Sequence, residues 1–267
     1  MQPTSSRYLK PDQWAVAFMR AVNSWWSMLH LVGIALVMGF SPSTYHRANL
    51  STTYKYIYAS TWQILPWFTL LTTLLSMVLI RIVIITALSY GLSRYALEMV
   101  VRVLVLELIP LSAALFVALR AALAFNTAGS PLTAAVVAQN SAGLDVAQLQ
   151  LDLVPRVIAS AFSVATLATV SGVIVLLLAY VNVYGMTPWG LLDYTRTVGR
   201  VFEPVVTIGF ALKTLLFGLA VAVIPVAAIL EGARRNINLS STLQPGATRL
   251  LFVLVLIEVG ALAVKYI

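Results

Sequence analysis

The sequence predicts an all-α integral membrane protein: five transmembrane helices, an N-terminal interfacial helix and a short polar helix outside the membrane. Three observations carry this prediction. The 267-residue chain is 60% hydrophobic, with a mean hydropathy of +0.93. Only 10% of its residues are charged. A soluble globular chain carries about 25%, so this one lacks the charge to coat a water-facing surface. Finally, its apolar residues gather in segments long enough to cross a hydrocarbon core, which takes about 20 mainly apolar residues. By length the chain is a single domain, with residues 1–60 as an N-terminal region and residues 61–267 as the five-span bundle.

The first strong span runs over Thr61–Gly91 and is interrupted by one charge, Arg81. The second covers Glu98–Phe125, with Arg102, Glu107 and Pro110 inside it. The third, Leu153–Tyr184, is uncharged after Arg156. The fourth, Phe202–Glu231, holds Lys213 and Pro225, and the fifth, Thr248–Ile267, holds Glu258 near its middle. Between the second and third lies Asn126–Gln150, rich in Ala, Ser, Asn, Gln and Gly and too polar to span. It reads as a short solvent-side helix with loops.

Residues 21–40 are also apolar and long enough to span. Alternatively they lie in the interface, with Trp25 and Trp26 as headgroup anchors. Basic residues decide between the two, because they concentrate on the cytoplasmic side. With five spans and a cytoplasmic N-terminus, Arg7, Lys10, Arg20, Arg47, Lys55, Arg120, Arg156, Arg234, Arg235 and Arg249 fall inside. Only Arg94, Arg102, Arg196, Arg200 and Lys265 fall outside. A sixth span over residues 21–40 moves the first three of the inside set outward and removes the bias. The five-span arrangement with an interfacial N-terminal helix is therefore expected. The net charge of +8 is this flanking bias and not a nucleic-acid footprint, since no basic cluster interleaves with aromatics.

Ionisable groups inside a membrane cost about 2.5–3.5 kcal/mol each at a helix centre on insertion scales. They therefore face a bundle interior or a wet cavity. At about 1.5 Å of rise per residue, Arg81, Glu107, Lys213 and Glu258 each lie on the order of 14–17 Å from the outer ends of their helices. Two bases and two acids at one level would cancel. They are the expected lining of a substrate path, with Glu107 and Lys213 as the leading pair; the competing expectation is a set of contacts that only lock helices together. Small residues recur at helical spacing: Ala161, Ala165 and Thr169, then Ala168 and Gly172, then Gly218 and Ala222. That spacing lets helices approach closely, and ordinary packing within the chain is the favoured outcome.

The residues point away from enzyme chemistry. There are no cysteines and only two histidines, His30 and His46, with no metal-binding spacing. No phosphate-binding G-x-x-x-x-G-K-[ST] loop and no G-x-S-x-G motif is present. Asp145 and Asp152 read as a solvated face.

Three stretches carry a family likeness. Leu106-Glu107-Leu108-Ile109-Pro110, followed by Ser112-Ala113-Ala114-Leu115 and Arg120, is similar to an "ELGP…TALL…R" helix. Leu153-Val154-Pro155-Arg156 is similar to an "APR" start of the next span, and Lys213-Thr214 with Phe217-Gly218 to a "KS..FG" helix. Together they resemble the MlaE/YrbE family of ABC-transporter permeases, over about residues 60–265. The resemblance implies a homodimer enclosing a lipid cavity, in which Glu107 and Lys213 match the family's acidic and basic cavity residues. It implies a cytoplasmic ABC ATPase that carries the ATP, engaged through Asn126–Gln150 and here through Asn126, Thr127, Gln139, Asn140 and Asp145. It further implies a periplasmic MCE-domain protein, a phospholipid substrate and a bacterial inner membrane. The chain itself then needs no cofactor. Two departures mark a divergent branch: the glycine of "ELGP" is Ile109, and the coupling segment is almost without carboxylates. A stand-alone secondary transporter or channel, and a non-transporting scaffold, are the alternative functions.

Overall fold

The computed structural model describes residues 57–126, 146–234 and 239–266, with the isolated positions 26, 33, 54 and 55. Among the described residues all regular structure is helical. Five stretches are long and apolar enough to cross a membrane: Leu65–Ser89, Tyr95–Ala121, Val157–Tyr184, Pro204–Pro225 and Gly246–Val264. The five expected spans are all present. The interfacial helix expected over residues 21–40 lies outside the described residues, apart from Trp26 and Gly33, as does the connection from Thr127 to Asp145.

Helix α1, Leu65–Ser89, opens with Pro66 in its first turn, where the missing N–H removes no helical bond. It closes at Gly91, whose φ of +71° only glycine adopts without strain. The N–H of Gly91 donates to the Leu88 carbonyl at 3.0 Å and that of Leu92 to Ala87 at 2.7 Å, so two terminal carbonyls are satisfied without water. The second span is wound in three parts: α2 Ser93–Val100, a π-helical stretch Val101–Leu108 and α3 Ile109–Asn126. In the π stretch the N–H of Ile109 reaches Leu104, five residues back rather than four.

Helix α4, Val146–Tyr184, carries Pro155 near its start and ends before Gly185, at φ +69°. A 3₁₀ turn, Pro188–Gly190, leads into the short α5, Leu191–Val201. Helix α6, Pro204–Arg234, again begins on a proline, and α7 is Leu239–Tyr266. Hydroxyls within the spans return to their own helix: Thr73 Oγ1 donates to the Thr69 carbonyl at 2.6 Å and Thr169 Oγ1 to Ala165 at 2.7 Å. Such bonds keep polar side chains satisfied where lipid offers no partner.

Helix α6 is the hub, packing most extensively on α4 and α7. The α4–α6 crossing is close because both sides are small. A methyl on Gly218 would overlap the Ala161 backbone, and Ser160 Oγ donates to the Gly218 carbonyl at 3.3 Å. At Gly172 an added Cβ would meet Val105 Cγ1 of the π stretch at 3.4 Å, an ordinary van der Waals contact, so the close approach is special to Gly218. The small-residue spacing in the sequence is thus used for packing within the chain. Phe68, Leu104, Val164, Leu167, Phe217 and Leu254 are among the fully buried side chains of the core. Helices α1 and α7 bury least of the spans, and rows such as Leu70, Leu74 and Met77 or Phe252, Leu256 and Val259 face outward. An apolar exterior of this kind belongs in hydrocarbon.

Candidate functional site

The interior of the bundle contains three charges in contact. Lys213, two and a half turns into α6, is 4% exposed. Its ammonium donates to Glu107 Oε2 of the π stretch and, at 2.8 Å, to Glu258 Oε1 of α7. The third donation goes to the backbone carbonyl of Leu106 at 3.3 Å. An ammonium has three hydrogens, and all three are engaged. The Phe217 ring, one turn along α6, has its centroid 5.8 Å from Nζ.

The local sequence explains the fourth participant. Pro110 has no N–H, so it cannot give the Leu106 carbonyl the bond that a residue four positions on gives in an α-helix. The Lys213 ammonium donates to that carbonyl instead. The π winding sets which way Glu107 points: Leu104, Val105 and Leu106 are buried around it, while Glu107 itself is only partly so, at 18% exposure of its side chain. Glu258 is similar, at 14%. The two carboxylates therefore form the accessible edge of the cluster, and the lysine sits behind them.

The pairing of Glu107 with Lys213 and the inclusion of Glu258 follow the sequence expectation. Arg81 does not join them. The buried stripe of α1 is Phe68, Thr72, Ser76 and Ile80, at a spacing of four. Arg81 lies one position off that stripe and its side chain is exposed, with no ion pair among the described residues. The cluster is thus one base with two acids, not the neutral set of four that depth alone predicts. Asn126 is the last residue of α3, and Thr127, Gln139, Asn140 and Asp145 lie outside the described residues. Sequence reasoning missed the Leu106 carbonyl and Phe217. The signal for the first was available: a proline within a span leaves the carbonyl four residues earlier without its usual donor.

A second polar feature lies at the end of the bundle where α4 meets α5. Tyr180, Tyr184 and Tyr194 pack with ring centroids 5.1 to 6.4 Å apart. Tyr180 donates to the Thr187 carbonyl at 2.5 Å and Tyr194 to the Leu176 carbonyl at 2.7 Å. Burial pushes the Tyr194 hydroxyl up to a pKa of about 12. These rings hold the turn and α5 against the span. Among the described residues no group of His, Cys, Asp and Glu could hold a metal ion.

No curated protein matches the chain. The sequence model of the family Permease MlaE does match, over residues 53–261 of 267. That region takes in the first four spans, the fifth as far as residue 261, and all three members of the charged cluster. The chain therefore belongs to the MlaE permease family, whose members are membrane subunits of transporters.

Proposed function

We propose that this chain is the membrane subunit of an ABC transporter that moves phospholipid, or a related lipid, between a bacterial inner membrane and a periplasmic MCE-domain protein. The observation that carries the reading is the match to the MlaE permease family over residues 53–261, which reaches into every span. The buried cluster supports it. Charges held inside a span mark a polar path by default, and the Glu107 and Glu258 edge gives a lipid headgroup something other than hydrocarbon to meet. Helices α1 and α7, which bury little in the single chain, offer surface to lipid and to a second copy. In this reading a homodimer encloses the path, the N-terminus is cytoplasmic, and residues 126–150 face an ATPase. ATP stays on that partner and this chain holds no cofactor. ATP binding shifts the dimer between two cavity states, and each state differs in its affinity for lipid.

The test is isolation from native membranes in mild detergent, with mass spectrometry of proteins and lipids. A stoichiometric P-loop ATPase, an MCE-domain protein and co-purified phospholipid are expected. A homo-oligomer with neither protein overturns the reading and favours a secondary transporter or a scaffold.

A further inference from the structure

The three hydrogens of the Lys213 ammonium go to Glu107, Glu258 Oε1 and the Leu106 carbonyl. None is left for Glu258 Oε2. That oxygen is buried and accepts no hydrogen bond, although Nζ lies only 2.8 Å away in the ion pair. Glu107 Oε2 and both oxygens of Glu258 touch the same ammonium, which brings the two carboxyl groups beside each other. Two ionised carboxylates have no hydrogen to place between them, and like charges at that range repel. One proton resolves both problems, since it supplies the missing donor and reduces two negative charges to one against one ammonium.

We propose that Glu107 and Glu258 form a proton-binding site, in which a single proton taken from water is held between the two carboxyl groups beside the Lys213 ammonium. The surroundings leave this task to the pair. On α6, Lys213 is the only charged residue within the span Pro204–Pro225, and on α4 the span Val157–Tyr184 has none. On the second span Arg102 is paired with Glu98 at 2.8 Å, and Arg120 donates to Gln63 at 2.7 Å. On α1, Arg81 is exposed, and on α7, Arg249 lies toward the other end of the helix. Tyr180, Tyr184 and Tyr194 belong to the cluster at the bundle end, and Asp193, Arg196 and Arg200 of α5 are exposed. The proton belongs to the pair and not to either residue. Because Glu107 and Glu258 come from separate helices, any rearrangement that separates α7 from the π stretch parts the two carboxyl groups and frees the proton. A change of cavity state is then linked to proton release and uptake.

Infrared spectroscopy of the full chain in lipid nanodiscs tests this without any partner protein, so its result is separate from that of the transporter reading. At neutral pH a protonated-carboxyl C=O band equivalent to one group per chain is expected. The band should move in D₂O and move again when glutamate is isotopically labelled at the carboxyl carbon. It should be lost in Glu258→Gln, whose amide replaces a neutral acid at nearly the same shape. Labelling assigns the band to glutamate even if the variant does not fold. Absence of the band in the labelled native chain overturns the proposal, as does a band that survives in both Glu107→Gln and Glu258→Gln.

Discussion

Replacing Lys213 with methionine keeps the length of the side chain and removes the cation between Glu107 and Glu258. Breaking a buried ion pair from one side costs about 3–5 kcal/mol. Lys213→Met is therefore expected to lower the thermal unfolding midpoint in detergent by far more than Arg81→Met, since Arg81 is exposed and outside the cluster. Equal losses would show that the cluster is not a stabilising contact. At the bundle end, Tyr194 gives a pH prediction. Its pKa in the fold is raised to about 12, against about 10 in an unfolded chain. A raised value favours the protonated form in the fold. The contribution of Tyr194 is thus complete below about pH 10 and is lost as pH rises through about 12. Tyrosinate absorbance, native minus Tyr194→Phe, should show one group ionising late. A group that titrates at the ordinary tyrosine value would sink this.

At the scale of the helix, the α4–α6 contact depends on the absence of a side chain at Gly218. Gly218→Val drives two methyls into the Ala161 backbone, and overpacking of this kind costs about 1–3 kcal/mol. Gly209→Val, on the same helix with open space around its Cβ position, should be tolerated, so the difference in unfolding midpoint between the two isolates the contact. The small-residue spacings of Ala161, Ala165 and Thr169 and of Gly218 and Ala222 made close packing within the chain legible in the sequence, while the pairing of Ala161 with Gly218 needed the fold. The π stretch was not legible. Val-Arg-Val-Leu-Val-Leu-Glu-Leu has nothing that separates it from an ordinary apolar helix, because the winding is decided by which carbonyl each N–H meets after packing. Arg81 misled for a related reason. Depth along a helix follows from counting residues, but direction around it follows from which face the neighbours cover, and α1 is covered only on the stripe through Ile80.

At the scale of the molecule, five spans place the two ends of successive helices on alternating sides. Position 54 precedes the first span, and position 189 follows the third. They must lie on opposite membrane faces. The chain has no native cysteine, so Tyr54→Cys and Trp189→Cys each provide a single thiol, and both native side chains are well exposed. In sealed vesicles of one orientation, a membrane-impermeant maleimide should label one variant and not the other. Labelling of both from the same side would remove a span. Composition alone announced these spans, because hydrocarbon filters sequence so strongly: few charged residues survive within it. Glu107, Lys213 and Glu258, which are among those that do survive, were legible for the same reason.

The donation from Lys213 to the Leu106 carbonyl has a consequence for how this sequence can vary. A backbone acceptor is present whatever side chain position 106 carries, so that contact places no restriction on position 106. The restriction falls instead on Pro110 and Lys213, which are far apart in the chain and do not act through a shared side-chain contact. A change at one alters what the other is for: with an N–H at 110, the carbonyl no longer needs the lysine, and without the lysine, the proline leaves a carbonyl short of a donor. The two positions should therefore change together or not at all, while position 106 between them drifts.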